Sequence, residues 1–189
     1  MKKILYVIIF LFLLIGSNNY IDINNIAIIS NISIEKKDDK YIVTFQEIVP
    51  KRENNTIIKD YKYYSSTKSS LKQAFHGIDE DITKEIYLEH LENIIIKDNN
   101  LDIIDNLESI MNNDLDNFNV VISTTDPSKA LKYGNNYKYI NSIIDNDVTL
   151  RKIKKARLEQ KDIKIPVIKQ KDEKLIFYKY ITYKGDNNA

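Results

Sequence analysis

The chain has 189 residues, with 28 Lys+Arg against 27 Asp+Glu and a net charge of +1. That balance excludes a global electrostatic attraction for nucleic acid or for anionic lipid. The absence of cysteine excludes disulfides, thiol catalysis and thiolate zinc sites, so the fold must rest on packing alone.

Met1-Lys2-Lys3 is a basic start, followed by an unbroken apolar run from Ile4 to Ile15. As a helix, about 12 residues span roughly 18 Å, short of a hydrocarbon core of about 30 Å. Residues 1–19 therefore read as a signal peptide or a short retained membrane anchor. A buried helix or strand fits less well, because the run is apolar on every face. Leu14-Ile15-Gly16 has the form of a lipid-attachment site, yet Ser17 follows where a cysteine would stand. Residues 20–189 are enough for one domain with a core of its own.

Ile26, Ile28, Ile32 and Ile34 recur at even positions, the period of a half-buried strand. Asp38-Asp39 marks a turn into a second strand through Tyr41, Val43, Phe45 and Val49, ending at Pro50. Ile57 to Tyr64 reads as a third strand. Leu71, Ala74, Phe75, Ile78 and Ile82 then fall at helical spacing, capped by Ser65, Ser66 or Thr67 and broken or bent at Gly77. The Ile94-Ile95-Ile96 run predicts a buried strand within Glu85 to Lys97. Leu101, Ile104, Leu107 and Met111 predict a helix, and Asn119 to Thr125 a further strand. This alternation points to crossover units feeding one sheet. Pro127 starts a short helix that Gly134 stops. Helices are expected at Tyr137 to Ile144 and Thr149 to Leu158, and strands at Ile165 to Ile168 and Leu175 to Tyr183. The fold class is α+β, one domain with a mixed sheet packed by several helices.

The chemistry-bearing inventory is thin. His76 lies in the amphipathic helix and His90 enters a strand, and neither belongs to a metal-ligand or acid–base motif. Both read as surface or hydrogen-bonded histidines. Asp79, Glu80, Asp81, Glu85, Glu89 and Glu92 form an acidic stretch without the glycine and offsets of a calcium loop, as do Asp98 to Asp105 and Asn112 to Asn119. The four glycines are too far apart for a phosphate loop, and Ser69 and Ser70 precede His76 without a triad. No catalytic, cofactor-binding or metal-ligating residue is assigned. The basic segment from Arg151 to Arg157 reads as a solvated helix face before a membrane-contacting one. Basic and aromatic residues interleave from Phe177 to Lys184, a pattern that strand-forming tyrosines explain without nucleic acid.

Asn24 to Ser30 followed by Lys40 to Gln46 resembles the opening of the Ger(x)C spore germination proteins, the C-subunit lipoproteins of nutrient germinant receptors. Ser69 to Phe75 is similar to a helix of that family, and Ile86 to Ile96 to its following strand. Val120 to Leu131, Thr149-Leu150, Ile165 to Ile168 and the strand closing at Gly185 resemble the rest of its first domain. Ser17 stands in place of the lipidated cysteine, Asn18-Asn19 in place of Trp-Asp, and Asn112-Asn113 where arginines are usual. The resemblance implies a non-enzymatic subunit on the extracytoplasmic face of the spore inner membrane. Its implied partners are the membrane surface and the receptor's A- and B-type membrane subunits, with no cofactor and no nucleic acid. The expectation is a truncated or stand-alone relative of the C subunit. Two other readings compete: an unrelated exported ligand-binding or adhesion domain with an apolar pocket, and an enzyme that would need His90 beside two carboxylates.

Overall fold

The computed structural model describes residues 25–54, 56–78, 80–111, 115–133, 137–144, 148–172 and 174–185. Strands β1 (Ile26–Lys37) and β2 (Lys40–Glu53) form a hairpin across Asp38 and Asp39, at φ 48° and 59°. Two consecutive left-handed residues make a type I′ turn, whose twist matches that of the strands it joins. Contrary to expectation, β2 runs past Pro50. Its ladder with β1 ends at Glu47, so from Ile48 to Glu53 it pairs only with β3 (Thr56–Lys68). On a strand with one unladdered edge, the missing N–H of proline leaves no partner unsatisfied.

The expected caps Ser65, Ser66 and Thr67 belong to β3. Helix α1 (Leu71–His76) is capped by Ser70, whose Oγ accepts from the N–H of Gln73. The helix breaks at Gly77, one of the two outcomes expected there, and Ile78 and Ile82 are buried beyond it. Gly77 has an ordinary helical φ of −68°. Space is what requires glycine there: a Cβ would lie 2.5 Å from Ser66 Oγ and 2.8 Å from Lys68 Cε.

The remaining elements are β4 (Glu85–Tyr87), β5 (Asn93–Lys97), α2 (Ile103–Ile110), β6 (Asn119–Ser123), α3 (Pro127–Tyr133), α4 (Tyr137–Ile143), α5 (Leu150–Leu158), β7 (Ile163–Lys171) and β8 (Lys174–Tyr183). Pro127 opens α3 as expected, and Asp126 Oδ1 accepts from the N–H groups of Ser128 and Lys129. Thr149 caps α5 through Oγ1. Gly134, the expected stop of α3, lies outside the described residues.

The sheet order is β3-β2-β1-β5-β6-β7-β8, with β4 parallel to the first residues of β1. β1, β5, β6 and β7 are parallel; β2 and β3 on one side and β8 on the other are antiparallel. The sheet is mixed and the class is α+β, as the sequence indicates. Apolar side chains of α1, α2 and α5 cover one face, over Ile32, Ile34, Phe45, Ile94, Ile96, Val120 and Ile122. Ala130 and Leu131 of α3 and Ile140 of α4 cover the other, over Ile95, Val121, Ile168 and Leu175. Burial on both faces accounts for the continuous apolar runs in β5 and β6.

The even-position pattern of β1 is corrected by a bulge. Ile29 pairs with Glu47 and Asn31 with Gln46, leaving Ser30 as an extra residue. An inserted residue reverses which face the following side chains take. The large core therefore receives Ala27 and Ile29 before the bulge and Ile32 and Ile34 after it.

Candidate functional site

The sequence-flagged residues do not converge. His76 is exposed at the end of α1. His90 is exposed in the turn between β4 and β5, not entering a strand, with its ring edge-on to Tyr87 at 5.7 Å. Tyr87 donates to Glu89, Lys68 pairs with Glu80 at 3.6 Å, and Glu92 accepts from Asn141 Nδ2 at 2.9 Å, so the acidic stretch is spread over separate partners. Asp79 and Asn112-Asn113 lie outside the described residues. Among the described residues no three His, Asp or Glu side chains gather as a metal-binding group.

The basic helix α5 is largely committed to ion pairs. Arg151 binds Asp116 through Nε at 2.9 Å. Arg157 joins Asp105 and lies 3.5 Å from Glu108 Oε1, and Tyr183 donates to the same Asp105. These contacts tie α5 to α2 and to the end of β8. Lys169 Nζ of β7 sits 4.0 Å from the ring centroid of Tyr178 on β8, so a chain-internal cation–π contact occupies one of the interleaved tyrosines.

Two arrangements missed by sequence reasoning stand out. The first is a cleft of about 240 Å³ between α1, α2 and the start of the parallel strands. It is lined by Phe45, Phe75, Ile86, Leu88, Met111 and Leu115, with His76 at its rim. Phe45 and Phe75 meet edge to face at 5.1 Å, which fixes the floor.

The second is a row of polar side chains under α3. Tyr63 pairs with Gln46, Gln46 with Asn31, Asn31 with Asn93, and Asn93 with Asn119, so one residue from each of β3, β2, β1, β5 and β6 stands at a common level. The hydrogen bonds run in one direction. Asn93 Nδ2 donates to Asn31 Oδ1 at 2.9 Å, Asn31 Nδ2 to Gln46 Oε1 at 2.6 Å, and Gln46 Nε2 to Tyr63 OH at 3.1 Å. Gln46 Nε2 also reaches the carbonyl of Leu131 at 3.3 Å, one of the last-turn acceptors that a helix leaves unpaired. The bulge residue Ser30 donates to Gln46 Oε1 at 3.1 Å. Ser30, Asn31, Gln46 and Asn93 are fully buried. A lone amide interrupting each apolar strand was the available signal; only the register shows that they align.

Where β2 leaves β1, Glu47 is 1% exposed and bound by Lys84 Nζ at 2.6 Å and by the Tyr64 phenol at 2.7 Å. Burial, reinforced by the hydrogen bond to Glu47, pushes the Tyr64 phenol up to about 12. The buried carboxylate thus has a cation and a donor, the condition under which such a charge is tolerated.

The family model described as the spore germination protein N-terminal domain matches residues 19–164. The chain belongs to that family. The match bears out the resemblance read from the segments between Asn24 and Ile165, and places the protein among spore germination proteins. It takes in the cleft, the amide row and the whole β2–β3 hairpin of this germination domain, while most of β7 and all of β8 lie beyond it and complete the sheet. No curated protein and no solved structure gives a significant match.

Proposed function

We propose that this germination domain is a non-enzymatic component of a spore nutrient germinant receptor, held at the extracytoplasmic face of the spore inner membrane beside the A- and B-type membrane subunits. The observation that carries the reading is the family match over residues 19–164. The apolar run from Ile4 to Ile15 supports the membrane part, with Ser17 at the position where the resemblance puts a lipidated cysteine. In this reading residues 20–189 are the germination domain and residues 1–19 an export signal that stays as an anchor. Among the described residues no helix is long and apolar enough to cross a membrane. Deleting the gene in its spore-forming host is expected to slow germination on nutrients while leaving dormant spore yield unchanged. Normal nutrient germination in the deletion strain would sink the reading. Mass spectrometry of the mature N-terminus is expected to find the Ile4–Ile15 run retained.

A second reading, small-ligand binding, is favoured by the aromatic cleft. Its 240 Å³ lies just below the range of about 300–1,000 Å³ usual for small-molecule sites, and the side chains that line it are apolar apart from one histidine at the rim. A thermal-shift screen of small apolar compounds tests it, with Leu88→Trp expected to abolish any shift by filling the cleft.

A further inference from the structure

The β2–β3 hairpin continues past its ladder with β1 as a two-stranded arm. Six residue pairs, from Ile48↔Tyr61 to Glu53↔Thr56, extend past the last β1–β2 pair, a projection of about 20 Å. Because β2 is antiparallel to β1, the arm leaves at the end where β1 begins. It carries Ile57 at 75% and Ile58 at 37% exposure, adjacent exposed isoleucines. The other large exposed apolar residues among those described, Tyr133, Leu158 and Tyr178, are scattered singly.

The two faces of the arm differ in charge. Opposed residues share a face and successive residues alternate. Ile48, Tyr61, Pro50, Lys59, Arg52 and Ile57 therefore lie on one face, with two cations and no acid. Val49, Asp60, Lys51, Ile58, Glu53 and Thr56 lie on the other, which holds both acids. The chain's overall balance hides this local segregation.

We propose that the acid-free face of the arm rests on an anionic phospholipid bilayer, with Ile57 and Pro50 at the acyl boundary and Arg52 and Lys59 on the lipid phosphates. The proposal rests on the membrane reading above and names the surface that meets the bilayer. Apolar and aromatic residues interspersed with cations are what interfacial elements present to anionic lipid. The position agrees. Asn25, where the described structure starts, lies at the end from which the arm projects. The nine residues from Gly16 to Asn24 reach at most about 30 Å, so a run anchored at Ile15 keeps a 20 Å arm within range of the surface.

The chain contains no tryptophan, which makes single reporters possible. The full chain is reconstituted in phosphatidylcholine vesicles, with or without phosphatidylglycerol, that carry doxyl quenchers in the acyl region. With phosphatidylglycerol, emission of the Ile57→Trp variant is expected to shift blue and to be quenched. Ile58→Trp on the opposite face and Tyr178→Trp on β8 are expected to stay unquenched. Adding Arg52→Ser and Lys59→Ser to Ile57→Trp is expected to abolish the blue shift. If the protein floats with the vesicles but Ile57→Trp is quenched no more than Tyr178→Trp, the arm proposal is overturned and the anchoring reading survives. Failure to float with either lipid overturns both. A blue shift that needs the receptor's integral subunits in the bilayer assigns this face to a protein and also overturns the proposal.

Discussion

At Gly77 the intrinsic preference of a residue and its surroundings pull in opposite directions. In a helix interior, replacing glycine by alanine gains about 1 kcal/mol, and the apolar spacing through Ile82 suggests such an interior. The chain instead turns at Gly77 with β3 against it, Ser66 Oγ 2.5 Å from where a Cβ would sit. Gly77→Ala is therefore expected to destabilise the protein by about 1–3 kcal/mol, the range for overpacking, measured by urea unfolding. Ser66 Oγ is buried without a hydrogen-bond partner, so Ser66→Ala should recover part of that loss in the double variant. Simple additivity of the two substitutions would contradict the contact. Periodicity revealed that Ile78 and Ile82 are core residues but not that they lie outside the helix, because burial and helical geometry leave the same trace in a short apolar pattern.

Among elements, the hairpins and parallel strands were largely legible, since each carries its own turn residues or apolar run. The β1–β2 turn is one case. Asp38 and Asp39 both adopt left-handed φ, which asparagine and glycine accommodate at lower cost. Replacing the pair by Asn-Gly is expected to raise stability by about 1 kcal/mol, seen as a higher urea midpoint with an unchanged slope. The β1 bulge was not legible, because Ser30 is extra only relative to β2. The amide row was hidden for the same reason. Asn31, Gln46 and Asn93 come from three strands, and pairing register turns them into one hydrogen-bonded network, with Asn119 at the same level on a fourth. Gln46→Leu would strand the Asn31 amide and the Leu131 carbonyl, costing on the order of 2–4 kcal/mol. Hydrogen exchange should locate the effect in α3. Uniform loss of protection across the sheet, with α3 no worse than β7, would argue against this docking role.

Across the whole molecule, two phenols hold opposite sides of the sheet. Tyr64 lies on β3 beside Glu47, and Tyr183 ends β8, where burial and then the hydrogen bond to Asp105 push its phenol up to about 12. The unfolded chain loses these protons near 10.0. Their contribution is therefore complete below about pH 10 and disappears as the pH rises towards 12, where the unfolded state alone has ionised. Denaturant midpoints should fall across that window, and fall less in the Tyr64→Phe and Tyr183→Phe variants. A midpoint independent of pH there would contradict the two phenol–carboxylate contacts.

The sequence by itself determined the family, the α+β class and most strands, because apolar periodicity, turn residues and segment order are properties of neighbouring positions. It also showed that neither histidine belongs to a recognisable site motif. Only the tertiary structure decided that α1 breaks and does not merely bend at Gly77, that five polar residues form one row, and that the acids of the β2–β3 arm share a face. Each of those depends on register or close approach between segments far apart in the chain. No local pattern encodes such a relation, since a shift of one residue in pairing exchanges the two faces of a strand.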